Sequence, residues 1–135
     1  MLFKRGRITS YGNDLPQPSG AGSGTIENIA VAAIAADANY TFTIADMAGG
    51  AVQFTAFTAG RNLTTPTAAQ ILAVCPDMDI GDAFTLYVSI VTAFAGTYVA
   101  GANVTLAGRA TTPASSFSIV VVKKLSATTV EWRVL

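Results

Sequence analysis

Alternation of apolar with small polar side chains is the feature that most restricts how this chain can fold. From residue 39 onward, apolar residues alternate with Thr, Ser and Asn at a period of two, which is typical of half-buried strands. In the clearest stretch, Ala83 to Val91, one face would carry Phe84, Leu86, Val88 and Ile90, and the other Thr85, Tyr87 and Ser89. The sequence therefore predicts a chain built mainly of short strands.

The alternation stops between Arg61 and Asp82. A short apolar run, Ala68 to Val74, lies there and is closed by Pro76. Thr65 as N-cap with Pro66 at the first helical position is one start, and Thr67 with Gln70 reaching back to it is the other. Either start predicts a helix of about two turns, which divides the chain into two β-rich halves.

Seven or eight short strands are predicted, at spacings of roughly ten residues. The first, Ile26 to Ala36, also fits a helical face, and we favour a strand there. Two strands flanking Gly101 are expected to form a hairpin, and the last strand points Trp132 inward. We therefore expect an all-β antiparallel sandwich or jelly roll over residues 26–135, with one short helix.

Residues 1–25 are predicted to form an arm outside this domain. Pro16, Pro18 and the stretch Ser19 to Gly24 exclude regular structure. A disordered terminus is one interpretation, and an extended arm that orders on a neighbouring molecule is the other. In the second, the contacts would come from Leu2, Phe3, Lys4, Arg5 and Arg7. A secretory leader is not expected, because Gly, Asn, Asp and Pro follow the cations where such a leader is apolar.

Low charge predicts that part of the surface is covered by another protein. Only 12% of the residues are charged and the mean hydropathy is +0.48, so apolar surface should be exposed on an isolated chain. No apolar run approaches the ~20 residues of a membrane span. The net charge is zero, which gives no general attraction to nucleic acid or a membrane surface. We expect a homo-oligomer, or docking on a larger assembly.

Residue chemistry favours a protein without catalytic activity, cofactor or metal. The chain has no histidine, and its single cysteine, Cys75, follows an apolar helix and precedes acidic residues that would raise its pKa. The acidic cluster Asp77, Asp79 and Asp82 departs from the EF-hand spacing. We interpret it as a solvated loop, or as the partner of Arg61 or of another subunit's arginine, in preference to a calcium site.

Six residues are candidates for an interface with another subunit or with a larger assembly. Phe57 and Tyr87 are predicted on outward strand faces, and the others are charged groups that could pair across a contact. The set is Phe57, Arg61, Asp77, Asp79, Asp82 and Tyr87.

The order of motifs resembles the small head decoration, or cement, proteins of tailed bacteriophages. It runs from YTFTIADMAGG through AGRNLTTPTAAQIL and GDAFTLYVS to GANVTLAG and SFSIVVVKKLSATTVEW, and covers residues 38–135. Arg61 with Thr64 to Thr67 and the following helix is its most specific part. The resemblance implies a trimer on the outside of the virion, seated on the lattice of the major capsid protein after synthesis in the host cytoplasm, without catalytic activity.

Two other classes of protein are alternatives to a head decoration protein. A phage fibre or receptor-binding module would expose aromatic side chains at loop tips, for which Phe94 and Tyr98 are candidates. A carbohydrate-binding β-sandwich would need Trp, Asp and Asn in one groove, whereas Trp132 is predicted to face inward. We rank both below capsid stabilisation.

Overall fold

The computed structural model describes residues 30–135, and it contains ten strands and two short helices in that range. The strands are β1 (Ala30–Ile34), β2 (Tyr40–Thr41), β3 (Gly50–Phe54), β4 (Arg61–Thr64), β5 (Ala83–Ile90), β6 (Gly96–Val99), β7 (Val104–Gly108), β8 (Thr111–Thr112), β9 (Ser116–Lys124) and β10 (Val130–Val134). The helices are α1 (Ile44–Gly49) and α2 (Ala68–Val74). Residues 1–25, predicted to be an arm, and residues 26–29 of the predicted domain lie outside the described residues.

The strands form two sheets. The large sheet has six strands in the order β1-β3-β5-β9-β10-β7, and the small sheet has four in the order β2-β4-β6-β8. In the large sheet β1, β3 and β5 are parallel neighbours, β9 is antiparallel to both β5 and β10, and β7 is parallel to β10. In the small sheet β2, β4 and β6 are parallel, and β8 is antiparallel to β6.

The chain changes sheet at every strand from β1 to β9. Odd-numbered strands up to β9 belong to the large sheet and even-numbered strands up to β8 belong to the small sheet. The early returns, from β1 to β3 to β5 and from β2 to β4 to β6, each place a strand beside the one that the chain left, in the same direction. Later returns differ, because β7 lies at the far edge beside β10 and β8 is antiparallel to β6. Only β9 and β10 are consecutive strands that pair within the described residues.

The predicted all-β antiparallel fold is wrong. The observed fold is a mixed α/β arrangement in which parallel and antiparallel pairs share both sheets and two helices interrupt the strands. A period of two is the same for parallel and antiparallel strands, so the alternation does not determine which strands pair. The predicted hairpin at Gly101 fails for this reason, since β6 lies in the small sheet and β7 in the large one.

Both helices begin with a capping box. Thr67 caps α2: its hydroxyl accepts from Gln70 N and its own N–H donates to Gln70 Oε1, which selects the second of the two predicted starts. Thr43 and Asp46 repeat this exchange at α1, so the alternation of Tyr40, Phe42 and Ile44 does not continue as a strand beyond Thr41. Gly50 ends α1 at φ 87°, a conformation that favours glycine.

One hydrophobic core lies between the sheets. Trp132 is fully buried on the inward face of β10, as predicted, and its ring centroid is 5.3 Å from that of Phe42. Phe42 also stacks on Tyr98 of the small sheet at 6.4 Å. A buried hydrogen-bond chain joins the two sheets, because Thr112 Oγ1 lies 2.7 Å from Tyr98 Oη and donates to Ser118 Oγ at 2.9 Å. The core thus fixes which faces of the two sheets point outward.

Candidate interaction surface

The outward face of the large sheet carries a set of apolar side chains, which we call the apolar face, beside polar residues such as Thr85 and Ser89. It comprises Val31 of β1, Tyr87 of β5, Val91 just after β5, and Phe117, Ile119 and Val121 of β9. Cross-strand register places Tyr87 beside Ile119, whereas Phe117 and Val121 lie opposite the polar Ser89 and Thr85. On the other side of β5, Tyr87 pairs with Ala51, which in turn pairs with Val31.

Several of these side chains are largely exposed. Val31 and Phe117 are each 60% exposed, Val91 is 54% exposed and Tyr87 is 40% exposed, while Ile119 and Val121 are half-buried. No element within residues 30–135 therefore covers this face. A contiguous exposed apolar surface on a small domain usually marks a site of protein contact.

The outward face of the small sheet has a different chemistry. Two rows of cross-strand neighbours point outward there. One row is Thr41, Thr64 and Val99, and the other is Asn62, Thr97 and Thr111. Five of these six residues have hydrogen-bonding side chains, so water can solvate this face without the cost of exposing a large apolar area. The two outward faces of the molecule are thus chemically distinct, and the apolar one is the stronger candidate for a partner.

The predicted outward orientation of Phe57 is wrong. Strand β3 ends at Phe54, so the alternation does not extend to Phe57, and the connection after β3 turns its side chain into the core. Phe57 is 3% exposed and its ring centroid lies 5.0 Å from that of Phe54. Tyr87 does lie on an outward face, as the alternation predicts, and its interface role stays a prediction.

Arg61 is paired with Asp37 within the chain, not with the acidic cluster. Its Nε and Nη2 donate to Asp37 Oδ1 at 2.9 and 2.7 Å, at the start of β4. Thr58 donates to the same carboxylate through both its hydroxyl and its N–H. These hydrogen bonds from Thr58, followed by that from Arg61, lower the pKa of Asp37 to about 2. The contacts join the connection after β1 to the loop that precedes β4.

The acidic cluster forms a turn between α2 and β5. Asp77 and Asp79 are exposed, and Asp79 N donates to Asp82 Oδ2 at 2.9 Å. Lys124 supports this turn by donating through Nζ to Met78 O at 2.8 Å. Within residues 30–135 no group of three or more His, Cys, Asp or Glu side chains is arranged to hold a metal ion. The arrangement is that of a hydrogen-bonded surface turn.

Residues singled out for other functions lie in the core. Cys75 is buried, and burial raises the pKa of its thiol to about 12, so the reactive thiolate is disfavoured. Tyr98 and Trp132 are buried as well, which removes them from any groove that could stack a sugar or a receptor. Phe94, the other aromatic of the fibre alternative, is 41% exposed in the loop before β6.

Sequence reasoning missed most of the apolar face. Phe117, Ile119 and Val121 share the outward side of β9, and the core side is formed by Ser118, Val120 and Val122. The available signal is the unbroken run Ile119 to Val122, because a strand that is apolar at consecutive positions presents apolar side chains on both faces. The arm residues Leu2, Phe3, Lys4, Arg5 and Arg7 lie outside the described residues.

Comparisons with known proteins leave the chain without an identified relative. No protein-family model, no curated protein and no solved structure matches it. In the part of the chain that the structure describes, no helix is long and apolar enough to cross a membrane. The function is therefore argued from the surface itself and from the motif resemblance.

Proposed function

We propose that the protein is a structural component of a phage virion that binds the outer surface of the major capsid protein lattice as a homotrimer. The observation that supports this role is the apolar face, of which Phe117 and Val31 are the most exposed members. Such a surface gains free energy when a protein partner covers it, at roughly 25 cal/mol per Å² of apolar area buried. The proposed role is to stabilise the head by bridging neighbouring capsid subunits.

The kind of partner is suggested by the resemblance to head decoration proteins. The residues that carry the resemblance form β4, the capped helix α2 and β5, which connect the small sheet to the centre of the large sheet. These elements hold Tyr87 at the middle of the apolar face, because β5 is bordered by β3 and β9. The same motifs thus position the surface that we assign to the lattice.

Charged groups of the arm would supplement the apolar contact. Lys4, Arg5 and Arg7 would pair with carboxylates on the lattice, and Leu2 and Phe3 would enter apolar pockets there. Each exposed ion pair contributes only about 0.2–1 kcal/mol. Three arms on a trimer act together, however, since binding of one arm raises the effective concentration of the other two.

Binding to undecorated heads of the parent phage tests the proposal. We expect the full chain to saturate such heads in a titration and to raise the temperature at which they rupture, because bound protein stabilises the assembled state. The free protein should sediment at three times the 13.9 kDa chain mass. Failure of the full chain to bind heads at micromolar concentration would refute the capsid role.

A pair of matched variants tests the surface assigned to the contact. Phe117→Ser removes an exposed apolar group from the apolar face, and Val99→Ser removes one from the outward face of the small sheet, where Val99 is 38% exposed. We expect Phe117→Ser to weaken binding to heads and Val99→Ser to leave it unchanged. The reverse result would assign the contact to the small sheet instead.

A further inference from the structure

The two outermost strands of the large sheet run in the same direction. Within residues 30–135, strand β1 borders only β3 and strand β7 borders only β10, so each has one free edge. Strands β1, β3 and β5 are parallel, and β9 is antiparallel to both β5 and β10. Because β7 is parallel to β10, it also runs parallel to β1 at the opposite end of the sheet.

Backbone groups of β1 point to its free edge. Ile34 O accepts a hydrogen bond from Thr55 N, which shows that the even-numbered residues of β1 face β3. The N–H and C=O groups of Val31 and Ala33 therefore face the other way, where no strand lies among the described residues. Both side chains are exposed as well.

Strand β7 has the matching arrangement at its own free edge. Val130 N donates to Asn103 O, so the odd-numbered residues of β7 face β10 and the backbone groups of Leu106 and Gly108 face the free edge. The side chain of Leu106 lies on the core side of the sheet, yet it is 36% exposed. A strand added beside β7 would cover Leu106 and supply partners for these backbone groups.

Neither edge carries the features that usually block pairing between molecules. Free edges of sheets are commonly protected by a charged side chain or a proline. The sequences of β1 and β7, AVAAI and VTLAG, contain neither. Each strand has five residues, so the two edges also match in length. Both edges are therefore suited to pairing with a further strand.

We propose that β7 of one copy pairs in parallel with β1 of the next copy, and that this head-to-tail contact joins the subunits of the homotrimer. The two free edges lie on opposite sides of the sheet, so parallel pairing continues the sheet from one copy into the next. With the strands aligned over their full length, Leu106 lies opposite Ala32 of the next copy. The Leu106 N–H then donates to Val31 O, and the Leu106 C=O accepts from Ala33 N.

Side-chain sizes fit this alignment. On the core side, each pair combines a larger side chain with a smaller one. The pairs, with the residue of β7 first and the residue of the next copy second, are Val104 and Ala30, Leu106 and Ala32, and Gly108 and Ile34. Strand β1 of a second copy thus offers both the backbone groups and the side chains that the edge of β7 can accept.

Pairing of unlike edges differs in symmetry from pairing of like edges. Contact of β1 with β1, or of β7 with β7, would form about a two-fold axis, close at two copies and leave the other edge free. Contact of β7 with β1 repeats around a rotation axis and closes as a ring in which the large sheet has no free edge. The proposal rests on the proposed function for the number of copies in that ring.

A pair of cysteines tests which edges meet. Thr105 lies opposite Val31 of the next copy at the ~4.8 Å spacing of neighbouring strands, a distance that a disulfide can bridge. Within one chain the two residues lie at opposite ends of the six-stranded sheet, too far apart for a bond. We expect the oxidised double variant Val31→Cys, Thr105→Cys to give linked species of up to three chains on a non-reducing denaturing gel. Each single variant should remain at one chain, since Cys75 is buried.

Other patterns of linkage would overturn the proposal. Linked dimers of either single variant would assign the contact to like edges. Linked products of the double variant longer than three chains would show an open filament in place of a closed ring. Absence of any linked product would show that these two edges do not meet.

A proline at the edge of β1 tests the backbone pairing directly. Ala33→Pro removes an N–H that faces the free edge, a position at which strands tolerate proline, and the alanine side chain is exposed. We expect this variant to keep its native circular dichroism and to sediment as a single chain of 13.9 kDa, a threefold fall in mass. Ala33→Ser keeps the N–H and, as the matched control, should sediment with the native chain. A folded Ala33→Pro variant that stays trimeric would overturn the proposal.

Binding to heads separates this proposal from the capsid role. A disulfide-linked trimer that does not bind undecorated heads would refute the capsid role and support the edge contact. A native chain that saturates heads, while its double cysteine variant gives no linked product, would overturn the edge contact and support the capsid role.

Discussion

Asp37 is a surface carboxyl group whose titration reports on the contacts around it. Its pKa of about 2 results first from the Thr58 hydroxyl, then from the Thr58 N–H, and then from Arg61. We expect Thr58→Ala to raise this pKa towards 3.8 by more than Arg61→Gln does. Carboxyl-carbon chemical shifts followed from pH 6 to about pH 1 measure the values. An unshifted pKa in the native protein, or a larger effect of Arg61→Gln, would contradict the assigned contacts.

The same group predicts how stability depends on pH. Because the folded-state pKa lies below the unfolded value of 3.8, the contribution of Asp37 is present above pH 3.8 and is lost as the pH falls through about 2. We therefore expect Asp37→Asn to be less stable than the native chain at pH 7 and to approach it in stability near pH 2. Urea denaturation of both proteins at the two pH values measures their free energies of unfolding. A difference between the two proteins that grows on acidification would contradict the prediction.

Cys75 should behave as a buried structural residue. Burial raises the pKa of its thiol to about 12, so at pH 8 both access and thiolate formation oppose alkylation. We expect no modification by an aromatic disulfide reagent in the native state and one thiol per chain after denaturation. Ala127→Cys, in the exposed loop between β9 and β10, is the positive control and should react in the native state. Rapid native reaction of Cys75 would place it outside the core.

At the scale of elements, helix α2 depends on Ile71, the larger of its two fully buried side chains. Ile71 is 0% exposed and packs in the common core, whereas Leu72 is half-buried. We expect Ile71→Ala to lower the free energy of unfolding by about 2–5 kcal/mol and Leu72→Ala to lower it by less. Thr67→Ala removes the N-cap and should cost about 0.5–2 kcal/mol. Denaturant titration measures all three, and equal losses for Ile71→Ala and Leu72→Ala would show that α2 packs differently.

Elements that depend on local chemistry could be predicted from the sequence, while their pairing could not. Helix α2 is found because Thr67, Gln70 and Pro76 act within a few residues of one another. The start of helix α1 is missed because the alternation of Tyr40, Phe42 and Ile44 runs past Thr43, where the capping box begins the helix. The direction of β3 relative to β5 depends on residues far apart in the chain, which no local pattern encodes.

The apolar face, too, could be predicted from the sequence only in part. Tyr87 could be predicted on an outward face, since β5 alternates cleanly, but the apolar side of β9 could not be distinguished from its core side. Both sides of β9 carry valine or isoleucine, and only the position of the second sheet determines which of them is buried. The predicted outward orientation of Phe57 is wrong for a related reason, because strand β3 ends before this residue.

At the scale of the whole molecule, the protein combines an apolar face, a Thr-rich opposite face and a basic N-terminal stretch. If the cations hold the protein on a lattice, their contribution must depend on ionic strength, since charges in water are screened beyond about 8 Å at 0.15 M salt. We expect the triple substitution Lys4→Gln, Arg5→Gln and Arg7→Gln to weaken retention on heads at low salt and to have little effect at high salt, where the native chain is weakened too.

A single exposed cation of the described domain provides the control for this experiment. Arg109→Gln lowers the charge in the connection between β7 and β8, outside the arm and away from the apolar face, so it should leave retention unchanged at both salt concentrations. Binding to heads that persists at high salt would come from the apolar contact, so Phe117→Ser should weaken binding under that condition. Equal retention of the triple variant and the native chain at low salt would show that the cations do not contact the lattice, and the apolar face alone would then account for binding.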